Sequence, residues 1–157
     1  MLNDLLGAIW RRAPKTLKRW TVRFSHPRFA VTAGAIITDA RGRVLLLKHR
    51  VRPGSGWGIP GGFMEAGEQP EQALRRELRE EVSLEIEKLK IFTVRAFKRP
   101  GQVEIVFTAQ ASGVPDQLNF EIQKAAWFSL GELPKELPED QVELIKGALK
   151  DGARPQD

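Results

Sequence analysis

Residues 61–84 read GGFMEAGEQPEQALRRELREEVSL and carry six glutamates: Glu65, Glu68, Glu71, Glu77, Glu80 and Glu81. Leu74, Leu78 and Val82 recur at helical spacing, and Pro70 stands where a helix would begin, a position whose missing N–H is harmless. The spacing predicts a helix from about Pro70 to Val82. On it Glu77, Glu80 and Glu81 fall within an arc of roughly 100°, at the edge of the apolar stripe and not opposite it. Like charges three and four residues apart repel by about 0.2–0.5 kcal/mol each. Two readings of this crowding compete. Arg75, Arg76 and Arg79 neutralise it as surface ion pairs, which are common and worth little. Alternatively, the carboxylates hold Mg²⁺ or Mn²⁺, hard ions that prefer oxygen ligands.

The rest of the chain narrows the chemistry. Its 157 residues, 41% hydrophobic, suit one globular domain with additions at the ends. With no cysteine there is neither a disulfide nor a thiolate ligand, and two histidines, His26 and His49, argue against a histidine zinc centre. Any metal is therefore held by oxygen. No run approaches the ~18 apolar residues that span a bilayer. The start, MLNDLLGAIWRRAPKTLKRW, lacks the order of a secretion signal, because Asp4 precedes the apolar stretch and the arginines follow it. A cytoplasmic location is expected. The net charge of +5 is unevenly spread: residues 1–28 carry +6 and the remainder −1. Basicity thus belongs to an N-terminal extension, expected to be helical, with Leu5, Leu6, Ile9 and Trp10 at helical spacing. It either docks its Trp10/Trp20 side on the domain or touches anionic lipid, RNA or another chain.

From Phe29 the texture becomes β-rich. FAVTAGAIIT, the turn DARGR and VLLLKHR predict a hairpin, and RPGSGWGIPGG reads as a loop. KIFTVRAF and VEIVFTAQA predict two strands joined through KRPGQ, KAAWFSL a short strand, and PEDQVELIKGALKD a closing helix. The domain is expected over residues 29–150, with a disordered tail at 151–157. Strands followed by helices indicate an α/β (α+β) sandwich and not an alternating parallel fold.

Gly62, Glu68, Arg76, Glu77, Leu78, Glu80, Glu81 and Leu84 resemble the Nudix box, G-x5-E-x7-R-E-U-x-E-E-x-G-U with U aliphatic, the signature of the Nudix hydrolases. Eight of the nine defined positions match, and Ser83 stands where the family has glycine. The flanks FAVTAGAIITDARGRVLLLKHR, GWGIPGG and AAWFSLGELP are also similar to the family. The resemblance implies an α/β/α sandwich with a mixed central sheet and the box helix on one face. It also implies hydrolysis of the diphosphate bond of a nucleoside diphosphate linked to another group, such as ADP-ribose, another nucleotide sugar or a (d)NTP.

Carried over by residue, the resemblance makes Glu77, Glu80 and Glu81 ligands of Mg²⁺, with Mn²⁺ an alternative, joined by the Gly62 carbonyl. Glu68 and Arg76 form a structural ion pair, and Glu121, in the loop before the last strand, is the candidate base beside Glu81. Glu65 is a weaker candidate, placed behind the ligands. Arg50, Arg52, Arg95, Phe97 and Lys98 are expected to line the substrate cleft, basic groups holding phosphate and the ring stacking a base. Pro100 stands near where ADP-ribose-cleaving members carry a proline, although a turn alone would account for it. Isomerisation of isopentenyl diphosphate on a related fold requires a cysteine, which this chain lacks. A nucleotide- or RNA-binding module and an RNA 5′-end pyrophosphohydrolase remain alternatives, with nucleic acid not the favoured partner. The oligomeric state stays open, a homodimer included.

Overall fold

The computed structural model describes residues 27–51, 54, 56–99 and 101–152, together with residues 12 and 14–16. Arg52, Pro100, most of the N-terminal extension and the tail from residue 153 lie outside the described residues. In chain order the elements are β1 (Ala30–Thr38), β2 (Val44–His49), β3 (Trp57–Gly58), β4 (Gly61–Phe63), α1 (Pro70–Val82), β5 (Ile86–Phe97), β6 (Gln102–Ala111), β7 (Ile122–Phe128) and α2 (Glu139–Gly152). The sheet runs β3-β2-β1-β6-β5, with β4 added to β1 and β7 to β2. Among the described residues only the β1–β6 pair is parallel, from Ala30↔Gln102 to Thr38↔Gln110, so the sheet is mixed as expected.

Both faces of the central strands β1, β2 and β6 carry buried residues, and alternation along the strands explains it. Ala33, Ala35, Ile37, Leu45, Leu47 and Phe107 face α1, where they meet Ala73, Leu74, Leu78 and Val82. The intervening Ile36, Val44, Leu46 and Val106 face α2 and meet Leu144, Ile145 and Ala148. An α/β/α sandwich follows. Asp39 closes the β1–β2 hairpin, its Oδ1 accepting from the Arg41 and Arg43 N–H groups at 2.9 and 2.8 Å. Among the described residues, no helix is long and apolar enough to cross a membrane.

The glycine-rich stretch that reads as a loop contributes two short strands, β3 and β4. Period-two reasoning misses elements this short. Gly61 has φ +146°, and a Cβ there would lie 2.3 Å from the Ala33 carbonyl oxygen, so glycine lets β4 press onto β1. Gln141, buried on α2, accepts the Ile59 N–H at 2.9 Å and ties this stretch down from the other side.

α1 begins and ends where the sequence predicts. At its start the Gln69 N–H donates to Gln72 Oε1 at 3.0 Å, and Glu71 places negative charge in the first turn. At its end Ser83 adopts φ 51°, ψ 39°, the left-handed conformation that glycine takes most easily. The Leu84 N–H donates back to the Leu78 carbonyl at 3.2 Å, with both side chains buried. Ser83→Gly is expected to stabilise the domain by about 0.5–1 kcal/mol, raising the melting midpoint by roughly 2–4 °C per kcal/mol. Calorimetry checks this; an unchanged or lower midpoint would mean that the serine cap carries no strain.

Candidate active site

Most of the described candidates lie toward the end of the sheet where β1 starts and β2 finishes, but Arg95, bonded to Asp140 of α2, and Phe97 against it lie on the face opposite the α1 glutamates. β4 places Gly62 opposite Ala33 on the α1 side. A Cβ on Gly62 would fall 2.3 to 2.6 Å from the carboxylate atoms of Glu77, so that carboxylate occupies the room a side chain would need. Exposure of the three helix carboxylates follows their phase. Glu81, nearest the apolar stripe, is 5% exposed, Glu77 is half-buried, and the Glu80 side chain is 58% exposed.

Arg76 organises the loop and the helix together. Its Nε and Nη2 donate to Glu68 Oε1 and Oε2 at 3.0 and 3.1 Å, a two-pronged pair, and Nη2 also donates to the Phe63 carbonyl at 3.0 Å. Its Nη1 donates to Glu77 Oε1 at 2.9 Å and to Glu80 Oε2 at 3.3 Å. One guanidinium therefore fixes the loop carrying Glu68, the strand carrying Gly62, and two helix carboxylates. Donating to Glu68 above all, and then to Glu77, raises the arginine's pKa against the opposing effect of burial. Glu65 is exposed; its N–H donates to Glu68 Oε2 at 3.0 Å, which places it behind the clamp.

The bond from Arg76, with help from the Glu65 N–H, lowers the Glu68 pKa below its ordinary value of 4.5. A depressed folded-state pKa means that the pair's stabilisation is present above about 4.5 and is lost as pH falls through the lowered value. The stability gap between wild type and Glu68→Gln in urea unfolding is thus expected at pH 7 and should close in acid. A gap that is constant with pH would deny the pair its role.

The loop before β7 rests on the C-terminal end of α1. Asp116 and Asn119 N–H groups donate to the Val82 and Glu81 carbonyls at 3.1 and 3.0 Å, which would otherwise be orphans of the helix end. Asn119 Oδ1 accepts from the N–H groups of Glu121 and Ile122 at 3.0 and 3.1 Å. The Arg50 N–H donates to the Glu121 carbonyl at 2.8 Å. Glu121 itself is exposed, and Phe120 beside it is 79% exposed. Sequence reasoning missed Asn119 and Gln141 as the residues that pin the two site loops. The taste of asparagine for turns was a signal for the first; nothing in the sequence marked the second.

Of the expected cleft residues, Arg50 and Lys98 are exposed at this end of the sheet. Arg95 lies differently, because Nε donates to Glu104 Oε2 at 2.8 Å and Nη1 to Asp140 Oδ2 at 2.9 Å. Its guanidinium stacks 5.1 Å from the Phe97 ring. Already neutralised twice, it joins β5, β6 and α2 and is not a free phosphate-binding cation.

The donors suit a hard divalent cation in kind, being oxygen throughout, and the Glu77 carboxylate is seated directly against the Gly62 backbone. Their side chains are not drawn together: among the described residues, no three acidic, histidine or cysteine groups converge closely enough to hold an ion. Arg76 Nη1 is the positive centre that Glu77 and Glu80 share instead.

The comparisons with known proteins agree with the fold and the box. The NUDIX domain profile matches residues 28–148. The chain is 31% identical over 143 residues to the ADP-ribose pyrophosphatase of Methanocaldococcus jannaschii, covering 87% of this chain and 80% of that protein. It is 33% identical over 117 residues to the NAD-capped RNA hydrolase NudC of Pasteurella multocida, covering 73% of this chain but 44% of that protein. Among solved structures, the NUDIX domain of Shewanella oneidensis NrtR, complexed with ADP ribose, superposes with a TM-score of 0.70 at 20% identity. That match covers 94% of this chain and 98% of that one, and shows a shared fold. The chain belongs to the Nudix hydrolase family, MutT-like, and is a hydrolase of pyrophosphate bonds.

Proposed function

We propose that this Nudix hydrolase is a Mg²⁺-dependent pyrophosphohydrolase that cleaves ADP-ribose or a closely related nucleoside diphosphate sugar. The observation that carries the metal site is the Glu77 carboxylate seated against Gly62, on the same helix arc as the buried Glu81. The substrate class draws on the M. jannaschii ADP-ribose pyrophosphatase, which matches most of this chain. Glu77, Glu80 and Glu81 hold the ion, with the Gly62 carbonyl. When bound, Mg²⁺ (or Mn²⁺) neutralises phosphate oxygens and activates the attacking water.

The remaining work falls to the chain's own groups. Water attacks one phosphorus, the bond from that phosphorus to the bridging oxygen breaks, and two phosphomonoesters result. Glu121 takes the water's proton, its loop being held by Asn119 to the end of the very helix that carries Glu81. Arg50 and Lys98 attract the diphosphate, and the exposed Phe120 offers a ring to the base. The Arg76–Glu68 clamp touches no reacting atom; it positions the helix carboxylates against the Gly62 strand.

Product release from ADP-ribose, other nucleotide sugars, (d)NTPs and NAD-capped RNA, each with and without Mg²⁺, tests this reading. ADP-ribose is expected to yield AMP and ribose 5-phosphate with the highest kcat/KM, and only with metal. Higher kcat/KM on NAD-capped RNA would move the assignment to RNA 5′ ends, and no metal-dependent release from any substrate would favour a binding module.

A further inference from the structure

The α1 side of the sheet is only partly covered, because α1 packs chiefly over β1, β4 and β7. Residues paired across strands share a face, so Ile91, Val94 and Ala96 of β5 lie on the α1 side beside Phe107, Ile105 and Val103. Ile91 is 64% exposed and Val94 59%, on a twelve-residue strand that forms the edge of the sheet. Apolar side chains clustered on one sheet face call for a cover.

We propose that residues 1–26 of this same chain supply it, laying the Leu5, Leu6, Ile9, Trp10 and Trp20 side of the segment across β5 and β6. Three observations favour this occupant. The first is where the segment joins the domain: the Ala30 N–H donates to the Gly101 carbonyl at 3.0 Å, in the turn that ends β5. The chain therefore reaches the sheet beside the open face. The second is length, since from Phe97 back to Ile91 is about 20 Å of strand, while 26 residues cover roughly 39 Å even when wholly helical. The third is composition: the segment sets those apolar residues among Arg11, Arg12, Lys15, Lys18, Arg19 and Arg23, charges that a cover leaves to water.

A second copy adding to the β5 edge is the competing occupant. Register shifts between Glu87 and Lys90 and between Ile91 and Thr93 interrupt the ladder that strand addition would need. A tethered segment also meets the face at the millimolar effective concentration of a short linker, which a free second copy does not. Nothing in this inference depends on the substrate.

Limited trypsin digestion of the full chain is the test, since Arg11, Arg12, Lys15, Lys18, Arg19 and Arg23 offer cleavage sites within the segment. In the double variant Ile91→Glu, Val94→Glu, those sites should be cut at least about tenfold faster than in wild type, with residues 27–152 still resistant. Equal rates overturn the proposal. The chain has no cysteine, so the pair Ile9→Cys, Val94→Cys gives an independent reading. A disulfide within one chain supports docking; one that forms only between two chains overturns it and assigns the face to a second copy.

Discussion

Glu81→Gln is expected to leave a folded protein whose kcat on its pyrophosphate substrate is lower by roughly 10²–10³-fold, about 3–4 kcal/mol of lost transition-state stabilisation. The amide keeps the shape of the side chain, which is buried at the end of α1, so the metal-free stability should stay within about 1 kcal/mol of wild type. What changes is the charge of one oxygen donor. Mg²⁺ that binds only the folded state raises the melting midpoint by mass action, and that rise should shrink or vanish in the variant. The two readouts separate the explanations. Loss of turnover together with loss of the Mg²⁺ shift assigns Glu81 to the metal. Near-normal turnover at saturating Mg²⁺ would remove Glu81 from the site and leave its burial without a functional reason. Loss of turnover with an unchanged shift would instead make it a group acting on the water.

The helix and its glutamate phase were legible because they depend on local spacing: 3.6 residues per turn places Glu81 against Leu74 and Leu78 whatever else the chain does. The β1–β2 hairpin was legible in its β-rich texture and turn, but the burial of both its faces, Leu45 and Leu47 against α1 and Val44 and Leu46 against α2, came only with what the family resemblance implied. β3 and β4 were not, because two or three residues carry no period, and what makes β4 a strand is the glycine contact with Ala33 across the sheet. The fate of Arg95 was hidden for another reason. Its partners, Glu104 and Asp140, are nine and 45 residues away, and only the folding of α2 onto β5 and β6 brings them together. A basic residue near an expected cleft reads as a phosphate ligand until its counter-charges are known. The site loops show the same limit. That Glu121 lies in the loop before β7 is plain from the sequence, but that Asn119 ties this loop to the Glu81 carbonyl is a long-range fact.

Gly62→Ala and Gly61→Ala are neighbouring changes with opposite expected consequences. At Gly61 the added Cβ meets backbone, 2.3 Å from the Ala33 carbonyl oxygen and 2.5 Å from Gly34 Cα, at φ +146°, where side chains are strained in any case. Backbone cannot step aside without opening the β1–β4 pair, so a loss of about 3 kcal/mol or more in stability is expected. At Gly62 the added Cβ meets only the far end of a side chain, the Glu77 carboxylate at 2.3 to 2.6 Å. That end can swing away, at the cost of its 2.9 Å bond from Arg76 Nη1, and stability should fall by about 1 kcal/mol. Catalysis should suffer far more, since displacing a catalytic group by about 1 Å costs roughly 10²-fold. The steric origin has its own check. In the Gly62→Ala background, Glu77→Asp draws the carboxylate back by one methylene and should recover part of the lost kcat, whereas in the wild-type background the same change should only lower it. Two losses that simply multiply would sink the idea that glycine at position 62 exists to seat the Glu77 carboxylate.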